Sequence, residues 1–144
     1  MVKPCGSTPE EARARGCHFD VISFCWLPEE CYDHGLSADF DAENELEWFI
    51  DPEKMHPLSH EQIMTGEYTG LYVNWEYHLR HCTAMWKKMH RALTGPLGKA
   101  AIDSYIGRYP HTEHCEMMLL GNRSTAADVI NTIILVKYPD CGIL

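Results

Sequence analysis

The pentad His-x-x-His-Cys occurs twice in this chain, as His78-Leu-Arg-His81-Cys82 and as His111-Thr-Glu-His114-Cys115. A fold that uses both copies must bring two separate stretches face to face, and that requirement constrains the architecture more than any other feature. At about 100° per residue, a helix through the first copy puts His78 and Cys82 on one stripe, with His81 about 60° from His78 on its rim. Neutral imidazole suits borderline divalent metals, and copper binds it most tightly of the first-row series. Two facing pairs therefore predict a four-nitrogen metal centre made of His78, His81, His111 and His114. Cys82 and Cys115 have two readings. As thiolate ligands they favour zinc or Cu(I); as a disulfide they lock the motif helices together, with Cys141 as a further candidate partner. Disulfide chemistry is slightly favoured.

Helical signals surround both copies. Asn74 caps a helix that runs to Leu93 and ends at Gly95-Pro96. Trp75, His78, Leu79, Cys82, Met85, Trp86, Met89 and Leu93 form its apolar stripe, with Glu76, Arg80, Thr83, Lys87, Lys88 and Arg91 opposite. A second helix starts at Pro110 or Thr112 and carries Met117, Met118, Leu119 and Leu120 up to Gly121. Thr8-Pro9-Glu10-Glu11 opens a short helix that Arg13, Arg15 and Gly16 close. Residues 18–27 are β-branched and aromatic, so they predict a strand or extended core segment. Pro28-Glu29-Glu30 predicts a turn of helix ended by Gly35, and Ser59 with Gln62 a short helix ended by Gly66. Residues 129–136 are ambiguous between helix and strand. The expected fold is mainly α: one small disulfide-stapled domain over residues 1–144, with a cysteine-rich segment (1–36) laid across a double-motif core (70–121). A few short strands are compatible with it.

A chain of 144 residues fits one domain, which buries roughly two-thirds of the surface its unfolded form exposes. It has no run of eighteen or more apolar residues that could cross a bilayer. The net charge of −9, with only 12 Lys and Arg thinly spread, excludes nucleic acid, whose phosphates need a clustered basic face. The six carboxylates between Ser37 and Asp51 read as a solvated helix face. Cys5, Cys17, Cys25 and Cys31 crowd into the first quarter and read as two disulfides in an oxidising compartment. Three connectivities are open; local pairing would join Cys5 to Cys17 and Cys25 to Cys31. Four buried thiols or a zinc knuckle are the alternatives, the latter weakened by the lack of any Cys-x-x-Cys. The start, Met-Val-Lys-Pro-Cys, lacks a signal-peptide core, so the chain is either cytosolic or without its targeting residues. His90 reads as a surface residue, and His18, His34, His56 and His60 match no motif. Tyr77, Tyr105 and Tyr109 flank the motifs, where hydrogen bonding or electron relay competes with ordinary packing.

The doubled motif resembles the UstYa-like family of fungal biosynthetic proteins, most clearly over roughly residues 70–120. The stretches Glu11-Ala-Arg-Ala-Arg-Gly-Cys17, Pro28-Glu-Glu-Cys31-Tyr-Asp and Tyr138-Pro-Asp-Cys141 look like the outer parts of such a protein. The resemblance implies oxidative cyclisation, hydroxylation, desaturation or halogenation of a natural product. It implies copper rather than zinc or iron, held by His78, His81, His111 and His114 as the catalytic residues, with Cys82 and Cys115 beside them. Tyr77, Tyr109 and Glu113 are candidates for orienting those ligands. The expected partners are a peptide or small-molecule substrate and O2 or peroxide, with a homo- or hetero-dimer of related chains also compatible. The family's usual membrane helix is missing here, which implies a lumenal domain of the secretory pathway with an initiator Met added. Two competing functions belong to other classes. One is a non-catalytic, zinc-stabilised partner domain, which chelation would unfold. The other is a zinc hydrolase with Glu113 or Glu116 as base, weakened by the lack of a His-Glu-x-x-His signature.

Overall fold

The computed structural model describes residues 1–95 and 100–143. Its architecture is mixed α/β rather than mainly α. Among the described residues, five helices accompany six short strands, and the strands pair into three separate two-stranded antiparallel sheets.

Helix α1 (Pro9–Ala14) begins where Thr8 accepts the Glu11 amide at 3.2 Å, with proline in the first turn. The Cys5–Cys17 disulfide brackets it, the local pairing the spacing suggested. Residues 18–27 form a hairpin, not one strand: β1 (His18–Asp20) pairs with β2 (Cys25–Leu27), placing Phe19 opposite Trp26. The reversal has a local cause. Asp20 Oδ1 accepts the Ile22 amide at 3.1 Å, a side-chain turn that competes with continuing the strand, and Phe24 adopts φ +53° to re-enter β2.

Helix α2 (His34–Glu43) starts later than expected. Pro28 to Cys31 is a turn closed by the Cys31 amide on the Pro28 carbonyl, whereas Asp33 accepts the Leu36 amide at 3.0 Å and so makes the cap. Gly35 therefore lies inside the first turn instead of ending a helix. The acidic helix face stops at Glu43; the chain beyond it has no regular structure and leads into buried Trp48 and Phe49. Helix α3 (His60–Met64) carries the full capping box of Ser59 and Gln62.

β3 (Leu71–Asn74) runs directly into the long helix α4 (Trp75–Thr94), which Asn74 caps through the Tyr77 amide at 2.9 Å. Gly95 ends it at φ +82°, a left-handed residue suited to glycine. Pro96, the other part of the expected stop, lies outside the described residues. The ambiguous stretch resolves as β5 (Ile130–Ile134), antiparallel to β3 with an irregularity at Val73/Asn74. β4 (Ala101–Asp103) pairs with β6 (Cys141–Ile143). Helix α5 (Tyr109–Gly121) has Pro110 in its first turn and carries the second motif.

The buried face of α4 is rotated from the expected stripe. Trp86 and Leu93 are 45% and 66% exposed, while Tyr77, His81, Ala84 and Lys88 are buried. Lys88 falls on the polar face of the sequence pattern. Its ammonium instead donates to Asp20 at 2.5 Å, Ser23 at 3.0 Å and Asp103 at 3.2 Å. The hairpin and β4 supply those acceptors, so a charge that cannot be buried alone is buried in company.

The remaining cysteines overturn one pairing. Cys31 is bonded to Cys141, and Cys25 is a buried free thiol. These residues share one buried cluster with Leu27 and Ala101, where β6 brings Cys141 to Cys31. The third disulfide, Cys82–Cys115, ties α4 to α5. Three disulfides indicate an oxidising, secretory-type environment. Among the described residues, no helix is long and apolar enough to cross a membrane.

Candidate metal centre

α4 presents His78 and His81, and α5 presents His111 and His114. The Cys82–Cys115 disulfide joins the helices next to both pairs. The four rings form a closed circuit with centroid separations of 6.3 Å (His78–His81), 5.8 Å (His81–His111), 6.4 Å (His111–His114) and 6.0 Å (His114–His78). With metal–nitrogen bonds of about 2.0–2.1 Å, neighbouring ring centres of one tetrahedral site would sit roughly 5.2 Å apart. The circuit is thus wider than a closed site by roughly 1 Å along each edge. His114 is exposed and can swing inward, while His78 and His81 are 5% and 6% exposed and fixed.

The donor chemistry fits a metal. His81 Nδ1–H donates to the Ile22 carbonyl at 2.6 Å, which leaves the lone pair on Nε2. His78 Nδ1–H donates to Asn131 Oδ1 at 3.1 Å, with the same result. A hydrogen bond from the far ring nitrogen is the usual way a ligating histidine is oriented. His111 Nε2 is buried without any hydrogen-bond partner, as a nitrogen awaiting a ligand would be.

Three of the rings are also held neutral. Burial pulls the His81 pKa down to about 3, against the opposing pull of the Ile22 carbonyl. Burial, then the nearby His114, lowers His111 to about 4. Burial likewise lowers His78. Neutral imidazole is the form that coordinates metal.

Two hollows adjoin the circuit. A cavity of about 250 Å³ is lined by His78, His81 and His114 together with Tyr77, Tyr105, Lys137 and residues of β5. A more open one of about 560 Å³ is lined by His111 with Tyr105, Arg108, Lys137 and Tyr138. Tyr105 and Lys137 form part of both walls. Lys137 Nζ sits 4.4 Å from the centre of the Tyr105 ring and donates to the Leu135 carbonyl at 2.9 Å. Burial lowers its pKa.

Of the flanking residues, Tyr77 lies against the site, its ring stacked on His81 at 5.8 Å and its hydroxyl buried without a partner. Tyr105 packs 4.5 Å from His111. Tyr109 and Glu113 do not orient the ligands; they line a separate surface groove with Trp86, Thr112 and Leu120, because they point from the opposite side of α5. Lys137 carried no sequence signal, since the connection from β5 to β6 brings it to the site only in three dimensions. Among the described residues, the group of potential ligands whose donor atoms all lie within 4.8 Å of one another is not the quartet but His18, Glu29 and His34. Neither histidine of that group belonged to a motif.

No family model matches the chain, and no solved structure matches it significantly. Two curated fungal proteins do. The chain is similar to phomopsin biosynthesis cluster protein B and phomopsin biosynthesis cluster protein B′ of Diaporthe leptostromiformis, each 29% identical over 126 residues. That likeness covers 81% of this chain but 36% of either relative, so the chain spans about a third of the length of the proteins it is similar to.

Proposed function

We propose that the chain is a UstYa-like domain that binds copper and oxidises a fungal natural product at a C–H bond, by cyclisation, hydroxylation, desaturation or halogenation. The observation that carries this reading is the closed circuit of four imidazoles from two disulfide-linked helices. The similarity to two biosynthesis cluster proteins supports a biosynthetic role for it. The secretory lumen, where disulfides persist, is its proposed compartment.

His78, His81, His111 and His114 would hold the ion, which when bound supplies one-electron chemistry with O2 or peroxide. The chain's own part is positioning. Ile22 and Asn131 keep two rings in one tautomer, and Cys82–Cys115 holds the helices in register. Tyr77 packs on the His81 ring and Tyr105 on the His111 ring, so one ring of each helix's pair is buttressed by a tyrosine. Among the described residues, Lys137 and Arg108 are the cations of the two hollows and no carboxylate lines either one, although the chain as a whole carries −9. A substrate carrying negative charge is therefore favoured over a cationic one.

Metal analysis of protein purified from an oxidising host, with turnover of the precursor made by the source gene cluster, tests the proposal. His78→Ala and His114→Ala should each lose copper and turnover while keeping the far-UV spectrum. Turnover that survives both substitutions refutes it. The zinc-stabilised partner domain makes a different prediction, unfolding on chelation. Three disulfides already staple this fold, so we expect chelated protein to remain folded.

A further inference from the structure

We propose a second metal site, independent of the motif histidines, in which His18, Glu29 and His34 bind divalent zinc. The three residues come from the first position of β1, the Pro28–Cys31 turn and the first position of α2. His18 Nε2 lies 2.8 Å from Glu29 Oε2, and His34 Nε2 lies 3.0 Å from both oxygens of the same carboxylate. In a tetrahedral zinc site with bonds of about 2.0–2.2 Å, donor atoms stand roughly 3.3 Å from one another. The nitrogen–oxygen spacings here need to open by only a few tenths of an ångström for an ion to enter.

The rings are preorganised. Tyr32 stacks on His18 with centroids 4.7 Å apart and 16° between planes, and meets His34 edge-on at 4.6 Å. The frame on either side is fixed, by the Cys31–Cys141 disulfide and by Asp33, which caps α2 while bound to Arg91 through both oxygens. Both rings aim Nε2 at the one Glu29 carboxylate, so zinc would displace the Nε2 protons and take their place among three converging donors. Two imidazoles and one carboxylate are an established donor set for zinc, which takes water in the remaining position.

The consequence is a clasp. The side chains are 38%, 56% and 56% exposed, and the hollows beside the motif histidines do not include them. Bound zinc would pin the hairpin, the turn and α2 to one another and raise thermal stability. It would also confound bulk metal analysis, because purified protein would carry zinc whether or not the quartet carries copper.

Calorimetric titration with zinc chloride alone, disulfides intact, tests the site. The His78→Ala/His114→Ala protein should still take up one equivalent and melt at a higher temperature with zinc than without. Adding His34→Ala or Glu29→Gln should weaken that uptake by at least about 10-fold, the least that loss of even an indirect partner costs a metal site, and should remove the thermal shift. The same two substitutions in the wild-type background should delete one equivalent, a readout that does not depend on the motif variants folding. Zinc uptake unchanged by His34→Ala and Glu29→Gln, or abolished by the motif substitutions alone, overturns the proposal. Copper binding and turnover are scored separately, so this site and the proposed oxidase can fail independently.

Discussion

Replacing Cys82 and Cys115 together with alanine should loosen α5 selectively and cost the protein most of its proposed copper affinity. The bond closes a sequence separation of 33 residues, for which the chain-entropy relation gives about 3.7 kcal/mol of stabilisation. That is a large share of the roughly 5–15 kcal/mol that holds a typical domain folded. The loss should not spread evenly. Cys115 is the one residue that α5 buries, and Tyr109, Met117 and Leu120 on the same helix are 71%, 69% and 54% exposed. Without the bond, little apolar burial keeps α5 against α4, so opening should be local. His111 and His114 would leave with the helix, and His78 and His81 alone would face the ion. Urea unfolding followed by circular dichroism measures the global term, and amide exchange along residues 109–121 the local one. Copper titration can be read from quenching of Trp75, whose ring lies 6.3 Å from His78. If α5 amides keep their protection and copper affinity drops less than about tenfold, equivalent to about 1.4 kcal/mol, the helix is held by something other than this bond and the reasoning is wrong.

Lys88→Met should destabilise the fold by about 3–5 kcal/mol, because Asp20 and Asp103, both fully buried, would lose their cation; a urea-midpoint change worth under 1 kcal/mol would contradict it. Gly66→Ala should cost about 1–3 kcal/mol, since its Cβ would come within 2.6 Å of Trp26 and 2.7 Å of Phe19 at a backbone φ of +67°, and thermal melting reads this directly. In metal-free protein, the unfolded chain takes up protons near pH 6.5, whereas folded His81 and His111 do so only near about 3 and about 4. The unfolded state thus binds more protons across that window, and stability present above pH 6.5 should be lost as pH falls toward 3. The His81 share is on the order of 5 kcal/mol; urea midpoints that stay flat between pH 6.5 and 4 would show that His81 is not desolvated.

The elements readable in advance were those whose signals are local. Asn74 and Gly95 bound α4, Ser59 with Gln62 starts α3, and Thr8 with Pro9 starts α1, each through atoms within a few residues of one another. The mainly α expectation failed on the strands, which are three to five residues long and, apart from the β1–β2 hairpin, pair across the chain; a period of two is scarcely visible in three residues. The orientation of α4 failed for a related reason. Hydrophobicity assigns Lys88 to solvent, and only the distant Asp20, Ser23 and Asp103 make its burial affordable. Cys31–Cys141 spans 110 residues, and no spacing rule favours such a pair over a neighbour.

The candidate site divides the same way. Spacings of three and four residues place each histidine pair and its cysteine on one side of a helix, so the motif is its own description. Tyr105 and Lys137 join it from loops, and His18, Glu29 and His34 meet through a hairpin, a turn and a helix start. The motif's cysteine follows from the same geometry. A helix that buries one residue has no apolar means of holding two imidazoles opposite another pair, and helix α5 is such a helix. Placing a cysteine directly after each histidine pair puts a covalent tether within one turn of the rings it must align. The two cysteines therefore have a purpose even if they never touch an ion, and a relative that lacked them would need a larger buried face on α5 to keep its four rings together.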